Sequence, residues 1–275
     1  AETRGAVVYR GKKTDIDHPV LIQLLKTRSA SPTRIAQVRQ EYQRISQIRH
    51  KGIVRPIEVL EDHGRYFIIT EDNPLPCLEH YMQTHVMDLI FFLRISVCLS
   101  KSLAILHQAG IVHREITPSH LYIDEQGQDA KISDFGIAAL LTRKNNEIYN
   151  PEVIQQSLAY QSPEQTGRMN RRVDYRTDLY SLGVVLYEML TASVPFVSDD
   201  PMDMIYSHLA VEPVAPIRVN PDIPVAVSDI ILKLLNKNAE DRYQSALGLA
   251  VDLGACLDQL QETGTIQPFV PGKKD

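Results

Sequence analysis

His113-Arg114-Glu115-Ile116-Thr117-Pro118-Ser119-His120-Leu121-Tyr122-Ile123, followed by Asp134-Phe135-Gly136 and then Ser162-Pro163-Glu164, lies where the chain changes character. Upstream, the sequence reads as strands with one helix. The segments 5–10 and 19–25 are rich in β-branched and aliphatic residues and flank a polar stretch, a hairpin-like pattern. Ser31-Pro32 opens a helix, with Ser31 as N-cap and Pro32 as first helical residue. Its apolar positions Ile35, Val38, Tyr42, Ile45 and Ile48 recur at three and four, which buries one face. Two more strands are predicted at 54–61 and 66–70, and Glu71-Asp72-Asn73-Pro74-Leu75-Pro76 reads as a connector. Downstream, the pattern is helical. Residues 87–109 form a long, largely apolar helix stopped by Gly110. Short strand-like pieces follow at 120–123 and 130–132. The segment 176–190 is apolar on nearly all sides, as a helix inside a domain should be. Asp200-Pro201 starts another helix, and 225–235 and 243–260 complete the set. The expected fold is α+β, with two lobes: a small β-rich lobe with one helix over residues 1–72 and a larger helical lobe over 73–265. Residues 266–275 read as a linker-like tail.

Composition narrows the function classes. Of 275 residues, 44% are hydrophobic and 23% charged, enough apolar surface for a core. Lys+Arg 29 against Asp+Glu 34 leaves a net charge of −5, which argues against a nucleic-acid partner bound by bulk phosphate neutralisation. No apolar run is read as approaching the roughly 18–20 residues of a membrane span, and residues 1–13 have no apolar signal-like core. Cys77, Cys98 and Cys256 are too scattered for a disulfide framework or a zinc spacing. A soluble, cytoplasmic protein is expected. Cys98 reads as a core residue and His107 as a helix C-terminal residue suited to the helix dipole.

The ordered triplets resemble the protein-kinase series of catalytic loop, magnesium-binding D-F-G and A-P-E. The likeness covers nearly the whole chain. A narrower resemblance, carried by residues 158–171 and 174–178, is to the serine/threonine-kinase-like N-terminal domains of bacterial, notably cyanobacterial, multidomain hybrids that end in a histidine kinase. It implies that this chain is a piece of such a protein and that its partners are other proteins or neighbouring signalling domains. Fold-keeping positions match: Glu164 with Arg242, Asp178 as brace of the catalytic loop, and Ile45, His113 and Phe135 in the apolar stack.

Most catalytic stations differ. The phosphate-holding lysine of V-A-I-K is Gln23 in Val20-Leu21-Ile22-Gln23, while Glu41 matches its helix glutamate; an amide cannot supply positive charge to phosphate oxygens. Lys26 lies on the opposite face of that strand. The catalytic aspartate is Glu115, one methylene longer, in a role worth about 10²–10⁴-fold when well placed. The loop lysine is Thr117. The asparagine that ligates magnesium is His120, an imidazole where a hard oxygen is preferred. Asp134 alone remains an orthodox metal ligand. In the adenine slot, small or aliphatic residues are replaced by Leu21 and Tyr122, with Val7 above. These side chains are expected to fill the slot. The alternative is that Tyr122 turns outward and stacks on adenine. Thr70 falls at the gatekeeper position and Glu71 to Asn73 at the hinge. Gly5, Ala6 and Val7 match the end of the glycine-rich loop, placing Glu2 at its second glycine and the first strand before residue 1. Tyr149 and Ser157 are loop hydroxyls open to phosphorylation, though ordinary loop residues serve equally well. The basic run Arg168, Arg171, Arg172 and Arg176 suits either an acidic partner or local ion pairs. The expectation is a pseudokinase-like regulatory module with no required cofactor and at most weak ATP and magnesium binding. The alternatives are an atypical kinase using Glu115 and Asp134, or a nucleotide sensor without turnover.

Overall fold

The computed structural model describes residues 6–12, 19–25, 32–63, 65–134, 158–168, 171–273 and 275. Strands β1 (Ala6–Lys12) and β2 (Pro19–Leu25) pair antiparallel, and β3 (Pro56–Asp62) and β4 (Arg65–Glu71) complete a four-stranded sheet of order β1-β2-β4-β3. Helix α1 (Pro32–Ser46) packs against β3. Its buried face carries Tyr42 and Ile45, with Ile48 just beyond it half-buried. The Tyr42 hydroxyl donates to the Ile69 carbonyl on β4 at 3.2 Å, which fixes the helix to the sheet.

The helical lobe begins with α2 (Leu78–Thr84), a short helix that sequence patterning missed, and α3 (Leu89–Gln108). Asp88 caps α3, its carboxylate accepting from the Phe91 amide at 2.7 Å. By length and composition α3 could cross a membrane, which corrects the expectation that no apolar run is long enough. Most of it is nevertheless buried, between the sheet lobe's 52–54 segment and the last helix. The remaining elements are β5 (Leu121–Ile123), β6 (Ala130–Ile132), α4 (Arg176–Thr191), α5 (Pro201–Ala210), α6 (Pro216–Val219), α7 (Val225–Leu234) and α8 (Ala246–Thr263). α4 is buried on almost every side, as its sequence requires. α8 starts three residues later than predicted because Ser245 takes the cap, accepting from the Gly248 amide at 2.9 Å.

The lobes are joined by more than the connector. Val54 donates its amide to the Ile132 carbonyl and Ile132 donates to the Gly52 carbonyl, so β6 is hydrogen-bonded to a segment of the sheet lobe. The Gly52 backbone lies so close to Ser102 on α3 that any side chain there would collide with it. Residues 266–273 and Asp275 contact the rest of the fold. Ile266 and Phe269 pack against the core, and the segment is hydrogen-bonded to α8.

Candidate active site

The cleft between the lobes is floored by β5 and β6 and roofed by β2. The loop before β5 is held by Asp178 on α4, which is fully buried. Its carboxylate accepts the His113 amide at 2.8 Å and the Arg114 amide at 2.7 Å. This grip holds Arg114 in the left-handed region (φ 66), a conformation that costs a non-glycine residue about 1 kcal/mol or more. The His107 ring nitrogen Nε2 lies 2.9 Å from the same carboxylate, so His107, in the last turn of α3 as its sequence position implied, is also a second brace. Sequence spacing held no signal for this pair, which meets only through the packing of α3 and α4. His113 is buried with Nε2 2.7 Å from the Ser133 carbonyl, and burial pushes its imidazole down to about 4.

Gln23 and Asp134 meet across the cleft. The Gln23 amide nitrogen lies 2.9 Å from Oδ1 and 3.1 Å from Oδ2 of Asp134. Asp134 takes φ 59, left-handed like Arg114. Its other neighbour is His120, whose Nε2 is 4.0 Å from Oδ2. Nδ1 of His120 is 2.9 Å from the Glu115 carbonyl and 3.3 Å from the Thr117 hydroxyl, which also bonds Ser119 at 2.8 Å. Because Nδ1 faces a carbonyl, it carries a proton. Burial works against the charged imidazole of His120, but the carboxylates of Glu115 and Asp134 and the bond to the Glu115 carbonyl outweigh it and raise its pKa.

The other expected residues fall around this centre. Glu41 on α1 is half-buried and makes no hydrogen bond to Gln23 among the described residues. Burial raises its pKa, opposed by the charges of Arg114 and Arg44. Tyr122, Leu21 and Val7 are each half-buried. Burial and the nearby Asp134 charge push the Tyr122 phenol up to about 12. Thr70 is buried and paired with Leu21 in the sheet. Glu71 is half-buried, 3.9 Å from Arg55. Asn73 is buried; its Oδ1 accepts from the Leu75 amide at 3.4 Å, whereas its Nδ2 has no partner among the described residues. Cys77, which sequence reading passed over, donates its thiol toward the Pro118 carbonyl at 3.3 Å and so ties the connector to the catalytic loop. Cys98 is half-buried at the rim of the core, with its thiol on the Gln128 carbonyl. Glu2, Gly5, Lys26, Ser31, Phe135, Gly136, Tyr149 and Ser157 lie outside the described residues.

Beyond the cleft, Ser162-Pro163-Glu164 is locked down. Arg242 is buried and forks onto Glu164 at 2.8 and 2.9 Å, while its remaining N–H groups donate to the carbonyls of Asn236, Arg176 and Lys237. All five guanidinium donors are thereby used. Burial would raise the Glu164 carboxyl, but the Arg242 hydrogen bond and charge lower it. In the basic run, Arg176 pairs with Asp174 at 2.8 Å and Arg171 with Glu240 at 2.8 Å.

A family model for the protein kinase domain matches residues 3–250. The chain belongs to the protein kinase domain family. Its bilobal fold is that of other protein kinases: the Mycobacterium tuberculosis PknI kinase domain superposes with a TM-score of 0.72 at 18% identity, covering 92% of this chain and 91% of that one. Among sequence relatives, a probable serine/threonine-protein kinase of Streptomyces coelicolor is 33% identical over 92% of this chain and 38% of its own length. PrkC of Bacillus subtilis is 31% identical over 92% and 39%, and PknB of Mycolicibacterium smegmatis 30% over 90% and 40%. This protein kinase domain thus spans about two-fifths of the length of these curated relatives.

Magnesium and ATP are the cofactors the kinase family implies, and the magnesium-ligand positions of this cleft carry Asp134 and His120. Asp134, the one orthodox metal ligand, already accepts a protein amide. His120 offers nitrogen where magnesium takes oxygen.

Proposed function

We propose that this kinase domain works by shape: it is a catalytically impaired, pseudokinase-like module that binds or gates partner proteins or neighbouring domains of a longer signalling protein. The observation that carries this reading is the Gln23–Asp134 bond, in which a neutral amide occupies the carboxylate that would coordinate magnesium. His120, with its raised pKa, adds cationic character on the same carboxylate. The size of Leu21 and Tyr122, both half-buried, favours a filled adenine slot, because the added bulk leaves less room for a purine. The maintained Asp178 brace and Glu164–Arg242 fork support conservation of shape without chemistry.

A second reading, an atypical serine/threonine kinase using Glu115 and Asp134, draws on the Asp178 brace, which still shapes the catalytic loop, and on the kinase names of the relatives. A thermal-shift titration with ATP, with and without magnesium, separates the two. A ligand that binds only the folded state adds about 2.7 kcal/mol at a hundredfold excess over its Kd. The expected result is no shift at millimolar ATP. A magnesium-dependent rise in Tm would overturn the filled-slot reading and make phosphotransfer assays on Glu115 variants decisive.

A further inference from the structure

We propose that residues 266–273, with Asp275, form a strap whose seating on α7 and α8 sets how firmly Glu164, and with it the Ser162–Thr166 turn, is held. The chain leaves α8 at Gly264 in the left-handed region (φ 72) and runs back along the helix that it has just completed. The Gln267 amide donates to Gln259 Oε1 at 2.9 Å, and Ile266 and Phe269 bury against the core. Further on, the Gly272 amide donates at 2.6 Å to Oδ2 of the buried Asp252, the same oxygen that accepts the Tyr243 hydroxyl at 2.7 Å. Gly272 also sits against the end of the Lys233 side chain, at φ 73, a left-handed conformation that favours glycine.

The strap then reaches the start of α8. Asp275 Oδ1 accepts the Ser245 hydroxyl at 2.6 Å, and its Oδ2 accepts the Gln244 amide. Ser245 is the α8 cap, so the Asp275 carboxylate, the cap and the positive helix end form one charge-assisted cluster.

Gln244 carries this seating inward. Its side-chain nitrogen shares its two N–H groups among the carbonyls of Ala239, Glu240 and Arg242 at 2.9–3.1 Å, and its oxygen accepts from Arg176 Nη1 at 2.9 Å. It therefore shapes the loop that presents Arg242 to Glu164. A buried ion pair needs close geometry to offset desolvation, so a loosened loop weakens the fork directly. The two states are strap seated and strap released. The path runs Asp275, Gln244, Arg242, Glu164 through contacts, and it involves no residue of the cleft. It therefore goes beyond the proposed function and stands whether or not nucleotide binds.

Hydrogen exchange on the whole 275-residue chain tests it. The readouts are the Ser162 amide, bonded to Gln165 Oε1, and the Gln165 amide, bonded to the Ser162 carbonyl. The double variant Phe269→Ala, Asp275→Ala should raise exchange at both by about tenfold while the core amides of α3 keep wild-type rates. In a Gln244→Ala background, which retains the backbone amide but removes the relay, the same double variant should add less than about twofold. Asp275→Asn, a milder change that preserves shape, should give the same pattern at smaller amplitude. The proposal fails if faster exchange stays within 246–275, or if α3 accelerates equally, which would report global destabilisation. Because ATP enters none of these measurements, their failure and failure of the proposed function are distinguishable.

Discussion

The side-chain amide of Gln23 on β2 bridges both carboxylate oxygens of Asp134, at 2.9 and 3.1 Å, across 111 residues of sequence and the junction between the lobes. A hydrogen bond to a charged group contributes about 1.5–3 kcal/mol. Gln23→Ala should therefore lower the unfolding free energy by about 2 kcal/mol, read from urea denaturation. Gln23→Lys exchanges the amide for an ion pair and should keep most of the stability without gaining autophosphorylation. Radiolabel incorporation by that single variant would count against the filled slot.

Glu164 and Arg242 are both buried, and neither has another opposite charge among its hydrogen bonds. Removing one partner strands the other. Glu164→Ala should cost about 3–5 kcal/mol. Glu164→Gln, which keeps the shape and the acceptor oxygen, should cost distinctly less. Equal losses for the two variants would mean that packing, not charge, holds this corner.

Acid should weaken the domain as pH falls below about 6.5. His113 is held at about 4 by burial, against the opposing charges of Asp178 and Asp134 and alongside the like charge of His120. His208, also buried, sits at about 4 with Lys237 beside it and the Tyr180 hydroxyl 2.8 Å from Nδ1. An unfolded histidine titrates near 6.5, so between about 4 and 6.5 the unfolded chain binds the extra protons. Stability is complete above that window and declines as pH falls through it, by up to about 1.4 kcal/mol per pH unit for each histidine. His120, whose pKa is raised, acts in the opposite sense, losing its contribution as pH rises through its folded pKa. Urea midpoints at pH 5.0 and 6.5 should show the decline, and His208→Gln should reduce it. An unchanged slope in that variant would remove His208 from the account.

Two helical glycines should respond oppositely to alanine. At Gly183 on α4, a Cβ would stand 2.6 Å from the Leu234 Cβ on α7, so Gly183→Ala should lose about 1–3 kcal/mol by overpacking. At Gly254 on α8 nothing lies within 4 Å, so Gly254→Ala should gain about 1 kcal/mol of helix propensity. Thermal melts of both variants check the pair, and a loss at Gly254 would show that α8 faces a neighbour there.

Periodicity and punctuation by themselves determined the order of the long elements, though not the short helices α2 and α6. The apolar pattern of α3, the all-round apolar α4 and the Asp200-Pro201 start depend on neighbours within a few residues, and local chemistry reports them faithfully. The ordered triplets determined the family for the same reason: each is a contiguous motif, and fixed spacing carries the rest. The α8 start was misjudged because Tyr243 and Gln244 are tolerated inside a helix, and only the cap geometry places Ser245 at the boundary.

What only the tertiary structure decided were the partners of groups that can bond in many directions. Gln23 was legible as a missing lysine, but a free amide has several possible acceptors, and the lobe geometry chose Asp134 over Glu41. His107 pairs with Asp178 because α3 and α4 bring their faces together, not because of any spacing. The 266–275 segment carries Pro, Gly and Lys, a composition that reads as solvated linker. Its amides and the Asp275 carboxylate find their partners on α8 and the residues just before it only once that helix has its place in the fold. Short-range conformational preference is written into adjacent residues, whereas a long-range hydrogen bond depends on which surfaces the packed core leaves facing each other.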